Sequence, residues 1–196
     1  QHDIPYIVGS TDGEARSMRN RFFETPESIE KKLKKSYGKY SEEYRKSVAY
    51  LTQKEAYEFQ LNHGFTEDLY TYCLTWCELQ RKDRTKPTYL YRFKRKLPGD
   101  DNGAFHACEH WYVFQNLHHC WRPFEGCDYE LAEKIATYWS NFVKTGDPNG
   151  KELPEWIPYD KMHKEQMILD KKCFMAPIDR NAALDARIKY MCSEKQ

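Results

Sequence analysis

The sequence predicts an α/β fold in which a few sheet strands are flanked by helices, and three observations indicate it. The apolar, β-branched run at 4–8 is bracketed by Pro5 and Gly9, which is typical of a short buried strand. Side chains alternate in character along 89–93 with the period of two that a strand requires. Apolar residues recur every three to four positions over 66–79, which predicts an amphipathic helix.

The remaining elements follow from helix caps, stop residues and periodicity. Thr25-Pro26 opens a first helix that ends at Gly38, and Ser41 caps a second one. A later helix is predicted to run from an N-cap at Asp128 to a stop at Gly146. The last two predicted elements, a short strand and a closing amphipathic helix, lie at 167–169 and 184–191.

Length and charge bound the domain count and the classes of partner. The 196 residues fit one domain. Basic and acidic residues balance at 31 to 30, which argues against a nucleic-acid groove and against a polybasic membrane patch. No run of about 18 consecutive apolar residues occurs, so no membrane span is predicted. No residue pattern indicates a cofactor.

A glycine-hinged loop at 103–109 presents the residue with the clearest chemistry. It carries one histidine, His106, with Glu109 three positions further on. That spacing predicts that Glu109 lies one helical turn beyond His106, on the same side of a helix start. An imidazole with a pKa of about 6.5 can gain and lose a proton around neutrality, so His106 is a candidate general base. A partly buried structural histidine is the alternative, because one histidine makes no triad.

A second candidate stands just beyond the first predicted strand. The polar turn 10–14 follows that strand and ends in Glu14. Functional groups of open α/β sheets gather beyond the carboxyl ends of the strands, and Glu14 is placed there. A solvated loop carboxylate is the alternative.

Four stretches, in order along the chain, carry the motifs of one enzyme family. Gly103-Ala104-x-His106-x-x-Glu109 matches a catalytic-histidine block, and 7–14 matches a strand that ends at a triad glutamate. Residues 87–93 match the strand before the histidine loop. Residues 138–150 match the signature Tyr-Trp-x-Asn-Phe-x-x-x-Gly-Asp-Pro-Asn almost residue for residue. Together they resemble the type-B carboxylesterases, the cholinesterase-like branch of the α/β-hydrolases.

The resemblance implies part of an α/β-hydrolase fold that hydrolyses small-molecule carboxylic esters through a serine. His106 would be the general acid and base, and Glu14 the carboxylate that orients it. Glu109 would support the site through a secondary network, so its loss should cost less than loss of His106. Asp68 matches a family aspartate and either caps its helix or supports the site. Two candidates for walls of the substrate pocket, with core packing as the alternative, are Phe105 and Trp111.

The same resemblance leaves part of the enzyme outside this sequence. The family's serine lies in a Gly-x-Ser-x-Gly elbow that precedes the glutamate and the histidine, and no such motif occurs here. We therefore expect residues 1–196 to be the C-terminal portion of the catalytic domain, inactive alone. The expected partner is the N-terminal portion of the same enzyme or a second copy, because a cut parallel sheet exposes a strand edge. The acid segment reads Asp-Gly-Glu where the family has Asp-Glu-Gly, so the position of the acid depends on the strand before it.

Two other classes of function compete with this interpretation. A non-catalytic cholinesterase-like binding module would share the fold, and the residue in the elbow would distinguish it from an enzyme. Metal binding is the second alternative, because eight possible ligands crowd into 106–127, although without the paired spacing of zinc sites. These eight are His106, Cys108, Glu109, His110, His118, His119, Cys120 and Cys127.

Cysteine usage predicts the compartment. The seven cysteines are an odd number without regular framework spacing, and Cys73 and Cys77 share an apolar helix stripe. We therefore expect reduced thiols and a cytoplasmic protein. Secretion stays an alternative, because the chain begins with Gln1 rather than methionine.

Overall fold

A four-stranded sheet with the strand order β1-β2-β3-β4 organises the structure. Its strands are β1 (Tyr6–Thr11), β2 (Thr88–Phe93), β3 (Glu165–Leu169) and β4 (Cys173–Pro177). The first three strands are parallel and β4 is antiparallel to β3. The structure is a computed structural model that describes residues 2–14, 27–28, 31, 34–35, 38–42, 65–83, 85–178, 180 and 182–193.

Helices cover both faces of this sheet. They are α1 (Phe65–Asp83), α2 (His110–Val113), α3 (Gly126–Thr145) and α4 (Ala182–Ser193), with 3-10 turns at Gly38–Tyr40 and Leu117–His119. All six residues of β2 are buried. Its Tyr89, Tyr91 and Phe93 join the core under α2 and α3, whereas Leu90 joins the core under α1 and α4. A parallel strand covered on both faces is the arrangement that βαβ crossovers produce.

Several predicted elements are confirmed, but the end of β1 and the N-terminus of α3 differ from the prediction, and one strand is additional. β1 continues to Thr11, beyond the predicted end at residue 8, because β2 supplies pairing partners as far as Phe93. Helix α3 begins at Gly126 with Glu125 as its N-cap. The predicted cap, Asp128, is instead the third residue of that helix and completes a capping box with Glu125. Strand β4 was not predicted, because its side chains do not alternate in polarity.

The first two predicted helices lie largely outside the described residues. Helical backbone is described at 27–28, 31, 34–35 and 41–42, positions that fall within the predicted ranges. Gly38 begins the 3-10 turn with a φ of 48°, a left-handed value that suits the glycine predicted to end the first helix.

The signature at 138–150 is a structural clamp. The amide of Asn149 accepts a hydrogen bond from the Trp156 backbone N–H (2.7 Å) and donates one to the Trp156 carbonyl (3.0 Å). Trp156 is fully buried and its indole N–H donates to the Leu90 carbonyl of β2 (3.1 Å). The hydroxyl of Tyr138 donates to the Pro154 carbonyl (2.6 Å). The signature therefore fastens the segment after α3 onto the central strand.

Candidate active site at the carboxyl edge of the sheet

The register of the sheet brings the two candidate loops together. β1 pairs with β2 through Thr11 and Phe93, and the Asp12 N–H then donates to the Phe93 carbonyl (2.9 Å). One residue later the pairing passes from β2 to the histidine loop, because the Gly13 N–H donates to the Ala104 carbonyl (2.8 Å). Gly13 and Phe105 form a parallel bridge. The next residue on each side is therefore Glu14 or His106.

The carboxylate of Glu14 joins both loops by hydrogen bonds. Its Oε2 lies 2.5 Å from Nδ1 of His106, across a separation of 92 residues in sequence. Its Oε1 accepts the backbone N–H of Thr11 (2.8 Å). The side chain of Glu14 is 4% exposed, whereas that of His106 is 49% exposed. A buried carboxylate thus holds one ring nitrogen of a histidine whose ring remains open to solvent on another side.

The backbone around His106 turns tightly. Gly103 has a φ of 66°, and Ala107 has a φ of 62°, a left-handed value that costs a non-glycine residue free energy. Residues 106–109 form turns and helix α2 begins only at His110. The prediction that Glu109 lies on the same side of a helix start as His106 is therefore wrong, because the chain reverses at Ala107.

Glu109 instead points into the core. It is 8% exposed, and its Oε1 accepts a hydrogen bond from the hydroxyl of Tyr91 (3.2 Å). Its Oε2 is buried and has no hydrogen-bond partner among the described residues. Burial raises the pKa of Glu109, and the negative charge of Glu14 raises it further. Glu109 is thus a buried residue that, within the described part of the chain, hydrogen-bonds to Tyr91 rather than to either member of the histidine–glutamate pair.

Tyr91 of β2 contacts both β1 and Glu109, and the sequence analysis does not identify it as a site residue. Its ring lies over Gly9 of β1, where a Cβ would overlap the ring atoms. Burial raises the pKa of Tyr91, and the nearby charge of Glu109 adds to this shift. A glycine in the middle of a strand is the signal that could have indicated a close neighbour at this position.

The other predicted site residues are Phe105, Trp111 and Asp68. Phe105 and Trp111 are half-buried and pack against the core under α3, so their role as pocket walls stays a prediction. Asp68 lies in the first turn of α1, and its side chain is outside the described part of the chain.

No group of three or more possible metal ligands comes together among the described residues. None of the described helices combines the length and apolar character that a bilayer crossing requires.

The mixed sheet with helices on both faces, which joins Glu14 to His106 at its carboxyl edge, is part of a fold of the α/β-hydrolase class. Solved structures support this class. A "PNB esterase" superposes with a TM-score of 0.75 at 22% identity, covering 94% of this chain and 38% of its own. A "thermophylic PNB esterase" gives a TM-score of 0.75 at 21% identity, with coverage of 94% and 38%.

The particular family follows from the sequence profile described as "Carboxylesterase family", which matches residues 1–185. The chain belongs to the carboxylesterase family, and the resemblance to type-B carboxylesterases is confirmed. Carboxylesterase 4A of Bos taurus is 34% identical over 88 residues, which cover 40% of this chain and 15% of that protein. Carboxylesterase 5A of Canis lupus familiaris is 36% identical over 91 residues, which cover 41% and 16%. The chain therefore matches less than a fifth of the length of these two curated relatives.

Proposed function

We propose that this chain supplies the histidine and the carboxylate of a serine hydrolase that cleaves carboxylic esters. The single observation that carries the proposal is the 2.5 Å contact between Glu14 Oε2 and His106 Nδ1 at the carboxyl edge of a parallel sheet. Family membership and the esterase fold support the same reaction. The hydroxyl nucleophile would come from a Gly-x-Ser-x-Gly elbow outside residues 1–196, because no such motif occurs within them.

The proposed mechanism gives a separate task to each residue. With Nδ1 bonded to Glu14, the other ring nitrogen of His106 takes the serine proton as the serine oxygen attacks the ester carbonyl carbon. The imidazolium then gives that proton to the alcohol oxygen as the ester C–O bond breaks, leaving an acyl-serine. A water, deprotonated by the same nitrogen, releases the carboxylic acid and restores the serine. The Glu14 carboxylate stabilises the imidazolium while it forms.

The hydrogen bonds that Glu14 makes suit its role as the orienting carboxylate. Its two carboxylate oxygens are both engaged, one by the Thr11 amide and one by His106, so the carboxylate cannot rotate away from the ring. Glu109 hydrogen-bonds to Tyr91 and, among the described hydrogen bonds, not to His106. We infer that loss of Glu109 costs less activity than loss of His106.

The test is ester hydrolysis by the complete enzyme that contains this chain, with p-nitrophenyl acetate as substrate. We expect His106→Ala to lower kcat by about 10⁵–10⁶-fold and Glu14→Gln by about 10³–10⁴-fold, because a carboxamide no longer stabilises the imidazolium. The exposed Glu133 of α3 gives a matched control, Glu133→Gln, that should keep full activity. Hydrolysis at the wild-type rate by His106→Ala would overturn the proposal.

A further inference from the structure

One buried arginine, Arg122, binds the loop 98–105 that leads to His106. Its Nη1 and Nη2 donate to Oδ1 (2.9 Å) and Oδ2 (2.7 Å) of Asp100, the two-pronged geometry that guanidinium and carboxylate groups favour. Nη1 also donates to the backbone carbonyl of Pro98 (2.7 Å). Arg122 itself is 8% exposed. A single side chain outside the loop thus fixes the position of 98–100.

The same guanidinium also touches the far end of that loop. Its central carbon lies 5.0 Å from the ring centroid of Phe105, the residue directly before His106. The ring centroid of Trp121 lies 4.8 Å from the same carbon. Stacking of a guanidinium on aromatic rings is attractive and directional. Arg122 therefore contacts the beginning of the loop through hydrogen bonds and its end through Phe105.

Asp100 connects Arg122 to a further residue of the loop, Asn102. Its two oxygens also accept the backbone N–H (3.0 Å) and the side-chain amide (2.8 Å) of Asn102. The Leu97 N–H closes the loop by donating to the Gly103 carbonyl (3.2 Å). The hydrogen bonds from Arg122 hold the pKa of Asp100 below its usual range, and the Asn102 amides add to this effect. The Asp100 carboxyl is therefore ionised at neutral pH.

The composition of this loop makes contacts from outside it important for its conformation. Its sequence from Pro98 to Gly103 consists of turn-forming residues without a large apolar side chain. Gly99 and Gly103 both adopt left-handed backbone angles, with φ values of 99° and 66°. Backbone of this kind is costly to order, so an external contact that fixes it has a large effect on the loop's position.

We propose that Arg122 is a positioning residue for His106, holding the histidine loop so that Nδ1 reaches Glu14. Nothing in the described contacts places Arg122 against either member of the pair, so it acts through Asp100 and Phe105. A displacement of about 1 Å in a catalytic group can cost about 10²-fold in rate. The catalytic consequence of this inference rests on the proposed function, whereas the geometric consequence does not.

The kinetic test uses the complete esterase and compares Arg122→Lys with Arg122→Gln. We expect kcat to fall about 10²-fold in Arg122→Gln, with KM changed less than about twofold. Arg122→Lys should recover little, because an ammonium group keeps the charge but loses the fork and the stacking plane. Asp100→Asn combined with Arg122→Gln should be no slower than Arg122→Gln alone, because both changes break one clamp.

A matched variant separates positioning from general stability. Arg180 donates to Asp185 through Nε (2.8 Å) and pairs with it through Nη2 (2.6 Å) near the start of α4, away from the histidine loop. We expect Arg180→Gln to lower the melting temperature while leaving kcat unchanged. An Arg122→Gln enzyme that remains folded by circular dichroism and keeps kcat within about twofold of the wild type would overturn the inference.

A second readout is independent of activity. In proton NMR spectra, the Nδ1–H of a histidine that is hydrogen-bonded to a carboxylate resonates far downfield, and Glu14→Gln identifies the His106 signal by removing it. We expect the signal to disappear in Arg122→Gln and to persist in Arg180→Gln. A signal unchanged in Arg122→Gln would contradict the positioning role. If His106→Ala hydrolyses esters normally, the proposed function fails, but this comparison still decides what Arg122 does.

Discussion

At the scale of single residues, the site depends on a contrast in burial between two partners. Glu14 is buried and held by the Thr11 amide, so its carboxylate has a fixed position. His106 is half-exposed, so the ring can meet a hydroxyl from another segment. A general base needs both properties, because its orientation must be fixed while its second nitrogen stays reachable.

Glu109 provides a prediction about pH. Burial raises its pKa, so the folded state favours the protonated form more than the unfolded state does. Its contribution to stability is therefore present at low pH and is lost as the pH rises through the raised pKa. We expect Glu109→Gln, which carries no charge, to be more stable than the wild type above the raised pKa of Glu109 and to lose this advantage as the pH falls below that pKa.

Thermal unfolding measured across that range of pH checks this prediction. Glu133→Gln is the control, because Glu133 is exposed on α3 and its replacement should leave the pH dependence unchanged. A difference in melting temperature between Glu109→Gln and the wild type that stays constant with pH, or narrows as the pH rises, would show that burial of the Glu109 charge does not limit stability.

At the scale of elements, periodicity and turn chemistry predict β2, α1 and α3 well, because each buries a regular set of side chains. The polar end of β1 is not predicted, since its pairing with β2 overrides the local composition. The bridge between Gly13 and Phe105 is beyond any local pattern, because it forms only after the chain has left β2 and returned. The family motifs indicate Glu14 and His106, whereas no motif indicates Arg122, whose partner is Asp100.

The clamp formed by Asn149 provides a prediction for the fold. Asn149→Ala removes both hydrogen bonds to the backbone of buried Trp156 and leaves that N–H without its acceptor. We expect the free energy of unfolding to fall by about 2–4 kcal/mol. Asn149→Asp keeps the acceptor oxygen but loses the donor, so it should cost about half as much.

Urea unfolding of the variants measures these differences. The exposed Ser140 of α3 gives the control, and Ser140→Ala should stay within about 0.5 kcal/mol of the wild type. If Asn149→Ala were as stable as Ser140→Ala, the hydrogen bonds between Asn149 and the Trp156 backbone would contribute no net stability, and aromatic packing alone would hold the segment on β2.

At the scale of the whole molecule, the sheet has one strand that is covered less than its neighbour. Tyr6–Gly9 of β1 are only partly buried, whereas every residue of β2 is buried. Among the described residues β1 pairs only with β2, so its other edge has no strand beside it. Parallel strands are normally covered on both faces and paired on both edges. We propose that a further portion of the enzyme, or a second copy of this chain, covers this edge.

This proposal predicts the behaviour of residues 1–196 expressed alone. We expect no measurable ester hydrolysis and a self-associated species in light scattering coupled to size-exclusion chromatography, because within the described part of the chain β1 has a strand on one edge only. A compact monomer at all concentrations would contradict the proposal.

Fluorophosphonate labelling of the native enzyme tests the central claim most directly, because the probe reacts only with a serine that a neighbouring base has activated. We predict one labelled serine, located by mass spectrometry in a segment outside residues 1–196. Labelling should be lost in His106→Ala and retained in Glu133→Gln. No label on any serine, or labelling that survives His106→Ala, would contradict the claim that His106 and Glu14 activate the nucleophile of a carboxylesterase.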